Sequence, residues 1–140
     1  MRILKDIDNQ YPFFWDIIGK SMMVLNKFHA GLLESAYESG LKYLLELDGY
    51  HVEQQAMLPM FWDDVRLDKN YRMDLVVNNK IILELKAIQN VGFPCRQQLM
   101  SYLHLTHMPY GMILNFHEKG LYSECYIRMP DSEIIRVMKT

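Results

Sequence analysis

The chain is 140 residues long, half of its residues are hydrophobic, and its formal net charge is −2 at pH 7. This length suits a single domain, residues 1–140, with a sizeable core, and the slight acidic excess argues against tight, nonspecific binding to nucleic acid. The sequence has neither an apolar run of about 18 residues nor the basic, apolar and small-residue succession of a signal peptide. We therefore expect a cytoplasmic protein that contacts no membrane, with Cys95 and Cys125 as free thiols.

Two amphipathic helices are predicted in the first third of the chain. Apolar residues recur at close to the helical period from Tyr11 to Phe28 and again from about Leu32 to Leu47. His29-Ala30-Gly31 separates the two helices, and Asp48-Gly49 ends the second. The side chains expected inside are Phe14, Ile17, Ile18, Met22, Leu25 and Phe28 in the first helix and Leu33, Ala36, Tyr37, Leu41, Leu44 and Leu45 in the second.

The middle of the chain is predicted to form strands. Val52 to Met60 is typical of a strand, and we interpret Trp62 to Asn70 as a polar connection that contains at most one short strand. Tyr71 to Lys86 then holds two apolar segments separated by a polar turn at residues 78–80. This pattern predicts a β-hairpin.

The length of that turn decides which side chains of the hairpin share a face. With a three-residue loop, Leu75 faces Leu83 and Asp74 faces Glu84, so one face is wholly apolar and the other holds both carboxylates. With a two-residue Asn-Asn loop, Asp74 faces Leu83 and the carboxylates lie on different faces. We favour the three-residue loop, because Asn suits its left-handed position.

The charges of this hairpin favour a metal site. Two carboxylates a few ångströms apart, here Asp74 and Glu84, repel each other unless a cation lies between them. Oxygen ligands suit Mg²⁺ or Mn²⁺ rather than zinc, and such a metal activates water and neutralises charge on a phosphate. Lys86, on the same face as Glu84, would position that water or stabilise the pentavalent state of the phosphate. The alternative is structural: Glu84 and Lys86 form a partly exposed pair on an edge strand, and the hairpin alone leaves both interpretations open.

The last third of the chain is predicted to contain one helix and at least two strands. Their ranges are Pro94–His107, Tyr110–Phe116 and Leu121–Met129, and residues 130–140 are either a strand or irregular. Leu99, Tyr102, Leu103 and Leu105 are the inward positions expected on this helix. The order of elements predicts a mixed α/β or α+β domain.

Five short segments occur in order along the chain and identify a resemblance. They are Gly31-Leu32-Leu33-Glu34-Ser35-Ala36-Tyr37, Tyr71-Arg72-Met73-Asp74-Leu75, Glu84-Leu85-Lys86-Ala87, Gln98-Leu99-Met100-Ser101-Tyr102-Leu103 and Gly111-Met112-Ile113-Leu114-Asn115-Phe116. In this order they resemble the motifs of the GxxExxY family, a branch of the PD-(D/E)XK nuclease-like superfamily. Five ordered motifs are far more specific than one.

The resemblance implies both a fold and an activity. The fold is a restriction-endonuclease-like core, in which helices flank a central mixed β-sheet. The activity is metal-dependent hydrolysis of phosphodiester bonds in nucleic acid, with DNA favoured over RNA. The implied ligands of Mg²⁺ or Mn²⁺ are Asp74, Glu84, the Leu85 carbonyl and Glu34, and the implied catalytic lysine is Lys86.

Four more residues are expected on the substrate side of the site. Gln98 and Tyr102 are similar to the QxxxY motif of RecB-like nucleases, and their spacing places them on one helix face. Arg72 and Arg96 flank the expected site, so they are our candidates for phosphate contacts.

The chain also departs from the family pattern. Met73 stands where the superfamily's proline would precede Asp74, and His29-Ala30 replaces the usual Gly-Pro. Tyr37 is expected to pack in the core rather than to act in catalysis. The rival interpretation is a catalytically silent module that keeps the nuclease fold and binds nucleic acid, a protein partner or a second copy of itself.

Overall fold

The computed structural model describes residues 3–4 and 10–137. In these residues, three helices and seven strands follow one another along the chain. They are β1 (Ile3–Leu4), α1 (Pro12–Phe28), α2 (Glu34–Leu47), β2 (Val52–Trp62), β3 (Val65–Val77), β4 (Ile81–Lys86), α3 (Phe93–Thr106), β5 (Tyr110–His117), β6 (Gly120–Arg128) and β7 (Ile134–Val137). Within the same residues, no helix is long and apolar enough to cross a membrane.

The strands form one mixed sheet in the order β1-β7-β6-β5-β4-β3-β2. Neighbouring strands are antiparallel except for two parallel pairs, β1 with β7 and β4 with β5. A parallel pair needs a crossover connection, and α3 forms the one between β4 and β5. The buried Asn115 of β5 stabilises the start of this crossover. Its side-chain amide accepts a hydrogen bond from the N–H of Ile88 and donates one to the C=O of the same residue. The predicted mixed α/β architecture is therefore confirmed.

Helices cover both faces of the sheet. On one face, α1 and α2 pack against the apolar side of the β3–β4 hairpin, formed by Leu75, Val77, Ile81, Leu83 and Leu85. On the other face, α3 packs against Val76 and Ile82. Tyr37 of α2 is fully buried and stacks on Phe116 with 4.6 Å between ring centroids. Its expected place in the core is confirmed.

The β3–β4 turn has three residues, as predicted. Val77 pairs with Ile81 and Leu75 pairs with Leu83, which leaves residues 78–80 as the loop. Asn78 and Asn79 both adopt positive φ, the left-handed region that Asn tolerates best among residues with a side chain. The two-residue alternative is excluded by this register.

The predicted polar connection over Trp62 to Asn70 is wrong. β2 continues to Trp62, which pairs with Val65 at the start of β3, so only two residues turn the chain. Residues 59–72, which we call the arm, form the outer part of this hairpin. Most of its side chains are exposed, so burial imposes no alternation of apolar and polar residues, and the sequence pattern of a strand is missing.

Four side chains expected to be buried are instead exposed, namely Met22, Phe28, Leu33 and Leu105. In α1 the buried stripe passes through Ser21 and Val24, and the Ser21 hydroxyl is satisfied because it donates to the Ile17 carbonyl. Leu33 precedes α2 in an extended conformation, so it does not belong to the helical stripe. Leu105 lies on the side of α3 that faces the arm rather than on the side that packs on the sheet.

The two ends of the chain contribute strands that the sequence pattern left undecided or missed. Ile134–Val137 forms β7 beside β6, and Ile3–Leu4 pairs with β7 in parallel. Residues 138–140 of the predicted tail lie outside the described residues. Cys95 and Cys125 do not form a disulfide, as expected.

The packing of α2 on the sheet can be tested by substituting one buried and one exposed leucine of this helix. Leu41 is 0% exposed, whereas Leu47 at the end of the same helix is 68% exposed. We expect Leu41→Ala to lower the free energy of unfolding by about 2–5 kcal/mol, because it leaves a cavity between α2 and the sheet. Leu47→Ala should change it by less than about 0.5 kcal/mol. Urea denaturation of both variants measures the difference, and equal effects would contradict the placement of α2.

Candidate active site

The side chains of Asp74 and Glu84 bond across the β3–β4 hairpin at the point where the regular backbone ladder ends. The ladder pairs residues up to Leu75 with Leu83. Beyond it, the Asp74 N–H donates to Glu84 Oε2 over 3.0 Å, and the Leu85 N–H donates to Asp74 Oδ2 over 2.8 Å. Each carboxylate thus accepts a backbone amide from the opposite strand. This exchange of bonds brings the two predicted metal ligands together.

Glu84 is held in an environment that disfavours its charge. Its side chain is only 2% exposed. Burial, followed by the nearby charge of Asp74, raises the pKa of Glu84 to about 8, although the Asp74 N–H and the charge of Lys86 act in the opposite direction. The protein alone therefore keeps a proton at this pair under near-neutral conditions, and a bound cation would favour the ionised form.

Two residues that the sequence did not single out join the cluster, the buried Glu38 and the exposed Gln55. Glu38 lies one turn after Glu34 on α2 and is only 4% exposed. Gln55 of β2 donates from Nε2 to both Glu38 carboxylate oxygens, at 2.9 and 3.1 Å, and reaches Asp74 Oδ1 at 3.5 Å. The spacing of Glu34 and Glu38 was a usable signal, because residues four apart share a helix face. Gln55 carried no such signal.

The backbone at Gln55 explains how its side chain arrives there. Gln55 has φ 51°, a left-handed conformation in the middle of a strand. Val52 packs with the α1–α2 side of the core, yet Ala56 packs with the α3 side. In a regular strand, residues four apart share a face. The left-handed residue therefore interrupts the alternation of β2 directly beside Asp74.

Glu34 lies at the first residue of α2, within electrostatic range of the cluster. Partial burial raises its pKa, with smaller contributions from the negative charges of Asp74 and Glu38, while the charge of Lys86 lowers it. The N-terminal end of a helix also favours a negative charge at this position. Glu34 thus interacts electrostatically with Asp74 but forms no hydrogen bond to Asp74 or Glu84 among residues 10–137.

The α3 helix brings Gln98 and Tyr102 to the same end of the hairpin. Lys86 Nζ donates to Gln98 Oε1 over 3.3 Å, and the Tyr102 hydroxyl donates to the Arg72 carbonyl over 3.4 Å. Burial and then the charge of Glu84 raise the pKa of Tyr102 to about 12, so the phenol stays protonated. The ammonium group of Lys86 is accordingly oriented by α3 as well as by its own strand.

The two predicted phosphate contacts lie in different surroundings. The side chain of Arg72 is exposed on the arm. Arg96 of α3 instead forms an ion pair with Glu124 of β6, with 2.6 Å between the nearest atoms. Burial alone would raise the pKa of Glu124. Hydrogen bonds from Arg96, Tyr122 and Tyr126 outweigh burial and lower the pKa to about 2. The Arg96 guanidinium therefore has a protein partner already.

The oxygen-rich pair fits a hard divalent cation. Mg²⁺ is typically bound by one or two protein carboxylates together with waters and substrate phosphates, and Asp74 and Glu84 supply such a pair. Across residues 10–137 the structure gathers no group of three or more His, Cys, Asp or Glu side chains that would hold a metal. Glu34 and the Leu85 carbonyl thus remain predicted ligands, and the remaining coordination would come from water and substrate.

Comparison with known proteins identifies the family. The family model described as the PD-(D/E)XK nuclease superfamily matches residues 13–128, which include the hairpin, α3 and the start of α2. The chain belongs to the PD-(D/E)XK nuclease superfamily. PD-(D/E)XK nucleases generally use divalent metals, in agreement with the chemistry of the carboxylate pair. A search of curated proteins found no match.

A solved structure has a similar overall fold. The structure titled "Crystal structure of SSO0001" matches with a TM-score of 0.53 at 15% sequence identity. The match covers 89% of this chain and 67% of that chain. At this identity the likeness concerns the fold, and the predicted restriction-endonuclease-like core is confirmed.

The raised pKa of Glu84 predicts how stability depends on pH without metal. The folded state binds the Glu84 proton more tightly than the unfolded state, whose pKa is near 4.5. The contribution of Glu84 to the free energy of unfolding is therefore complete below pH 4.5 and is lost as the pH rises toward about 8. We expect Glu84→Gln to remove this decline when unfolding free energy is measured by urea denaturation in EDTA between pH 4.5 and 9.

The exposed Glu46→Gln on α2 is the matched control, since it changes the same chemical group on the surface. Its pH dependence should follow that of the unmodified protein. If Glu84→Gln also follows it, Glu84 does not retain its proton in the folded state.

The left-handed backbone at Gln55 predicts an unusual order of stabilities. Gln55→Gly and Gln55→Ala both remove the amide that bonds Glu38, so this loss is common to the two variants. Only alanine keeps a Cβ, which costs roughly 1–2 kcal/mol at positive φ. We expect the glycine variant to be the more stable by about 1 kcal/mol in urea denaturation. An alanine variant of equal or greater stability would show that Gln55 is in extended backbone.

Proposed function

We propose that this protein is a metal-dependent nuclease of the GxxExxY type, with DNA as its favoured substrate and the cytoplasm as its location. The observation that supports this most is the pair of the half-buried Asp74 and the buried Glu84, held by backbone amides beside Lys86. A structural ion pair would not need two carboxylates in contact. Placing two carboxylates together destabilises the fold, and a site that binds a cation and a phosphodiester explains why the pair is present.

In this proposal the acidic residues hold the cation. Asp74 and Glu84 are the ligands, joined by the Leu85 carbonyl and by Glu34, directly or through water. Mg²⁺ or Mn²⁺ bound there would activate a water molecule and neutralise charge that develops on the phosphate. Gln55 and Glu38 fix the orientation of Asp74 from the opposite side.

The remaining residues act on water and substrate. Lys86 orients the attacking water or stabilises the negative charge on the phosphate, and its bond to Gln98 holds the ammonium in place. Tyr102 keeps its proton and can donate a hydrogen bond on the substrate side. Arg72, exposed on the arm, contacts a phosphate. Arg96 would contact one only by sharing its guanidinium with Glu124.

A second candidate is a binding module without catalysis. An apolar groove of 350 Å³ lies between α1 and α2, lined by Met23, Val24, Lys27, Phe28, Gly40, Tyr43 and Leu44. Met23 and Tyr43 are more than half exposed there, and contiguous exposed apolar surface is typical of protein interaction sites. In this alternative the groove binds a protein partner or a second copy of the chain.

Cleavage assays decide between the two candidates. Labelled single-stranded and double-stranded DNA and RNA are incubated with the protein in Mg²⁺, in Mn²⁺ and in EDTA. We expect cleavage that requires metal and that falls by on the order of 100-fold or more in the Asp74→Asn/Lys86→Ala double variant. The loss follows because one ligand and the phosphate-facing ammonium are both removed.

The matched control is Lys42→Ala/Glu46→Gln, which removes one positive and one negative charge from a surface pair on α2. It should cleave like the unmodified protein, which shows that the loss in the active-site variant does not come from a change of charge alone, and that loss itself excludes a contaminating nuclease. Absence of metal-dependent cleavage by the folded protein on all four substrates would refute the nuclease proposal and favour the binding module.

A further inference from the structure

A groove between the arm and α3 adjoins the proposed active site. It has a volume of 610 Å³, and its walls include Tyr71 of β3 and Gln97, Gln98, Ser101 and Tyr102 of α3. Its remaining lining residues are Met60, Pro94 and Leu105. None of these side chains carries a charge. The groove is therefore suited to a neutral group with both apolar and hydrogen-bonding surfaces.

The arm places a cation beside the aromatic ring that it contributes to the groove wall. Tyr71 is 40% exposed, and its ring centroid is 6.2 Å from that of Tyr102. Lys69 Nζ lies 5.2 Å from the Tyr71 centroid. A ring on which a base can stack, next to a flexible ammonium that can bind phosphate, is the combination used to bind single-stranded nucleic acid.

The α3 wall supplies hydrogen-bonding groups. Gln97 and Ser101 are four residues apart, so both face the groove from successive turns of the helix. Both side chains donate and accept hydrogen bonds, as the edges of nucleobases do. Neither side chain has a hydrogen bond among those described for residues 10–137, and both are exposed at the groove surface.

The groove is continuous with the catalytic cluster. Gln98 lines the groove and also accepts the Lys86 ammonium hydrogen bond. Tyr102 lines it as well, and the charge of Glu84 contributes to its raised pKa. A nucleotide in the groove would thus lie next to one whose phosphate is beside Lys86.

We propose that this groove binds one unpaired nucleotide next to the scissile phosphate, with its base against Tyr71 and its phosphate on Lys69. The inference rests on the proposed nuclease function and names its substrate class. A base can enter the groove only after it leaves a duplex stack, so the protein should prefer single-stranded ends or frayed duplexes over intact duplex.

Binding measurements without cleavage test the groove directly. Fluorescence anisotropy in EDTA compares a labelled single-stranded DNA oligonucleotide with the same sequence as a blunt duplex. We expect tighter binding of the single strand by the unmodified protein. Tyr71→Leu should weaken that binding by roughly 5- to 100-fold, the range typical of losing one stacked base, and Tyr71→Phe should restore it because the ring is kept.

Substitutions of Gln97 on α3 give a second, independent test, because they leave the arm unchanged. Gln97 is exposed on the helix, so a charge there is tolerated by the fold. Gln97→Glu should weaken single-strand binding by repulsion of the phosphates, and Gln97→Lys should strengthen it. The control is the pair Gln89→Glu and Gln89→Lys, which makes the same changes outside the groove and should alter affinity less.

The outcomes separate this inference from the nuclease proposal. If the protein cleaves or binds DNA but Tyr71→Leu and both Gln97 variants match the unmodified protein, the groove does not hold a nucleotide and only this inference is overturned. Preferred binding of the blunt duplex overturns it as well. If the folded protein neither binds nor cleaves any nucleic acid, both the inference and the nuclease proposal are overturned.

Discussion

The exchange of hydrogen bonds between Asp74 and Glu84 is the interaction on which the rest of the site depends. Each carboxylate accepts a backbone N–H from the other strand, so the two strands are joined through charged groups where ladder bonds end. Neither carboxylate can turn toward bulk water without leaving a backbone amide unsatisfied. The fold therefore keeps the two carboxylates together, and near neutral pH the pair either retains a proton on Glu84 or binds a cation in its place.

The hairpin was predictable because its own sequence determines its register. Alternation from Leu75 to Leu85 fixes which face is apolar, and the Asn residues of the turn supply the left-handed backbone that a three-residue loop requires. The helical motif around Gln98 and Tyr102 was predictable for a similar local reason, since spacing alone puts both side chains on one face. The family resemblance then indicated that these separate elements meet.

Other parts of the site depend on interactions that no local pattern records. Gln55 belongs to the cluster because β2 contains a left-handed residue opposite Asp74, and a glutamine has no sequence signature for that conformation. Arg96 looked like a phosphate ligand because its partner, Glu124, is 28 positions away in sequence. The arm was missed because its pairing comes from backbone hydrogen bonds between exposed strands, where composition is not constrained by a core.

The ion cluster around Glu124 also has a consequence for the orientation of α3. Arg96 near the start of that helix is tied to a buried carboxylate whose pKa is about 2, so the bond stays charged at every pH at which the protein would work. α3 is thereby anchored to β6 by a contact that does not titrate, while it carries Gln98 and Tyr102 toward a pair that does. Acid–base changes at the carboxylate pair therefore take place next to a helix whose position does not depend on pH. Glu84, which changes charge, is separate from the Arg96–Glu124 ion pair that holds α3 in place.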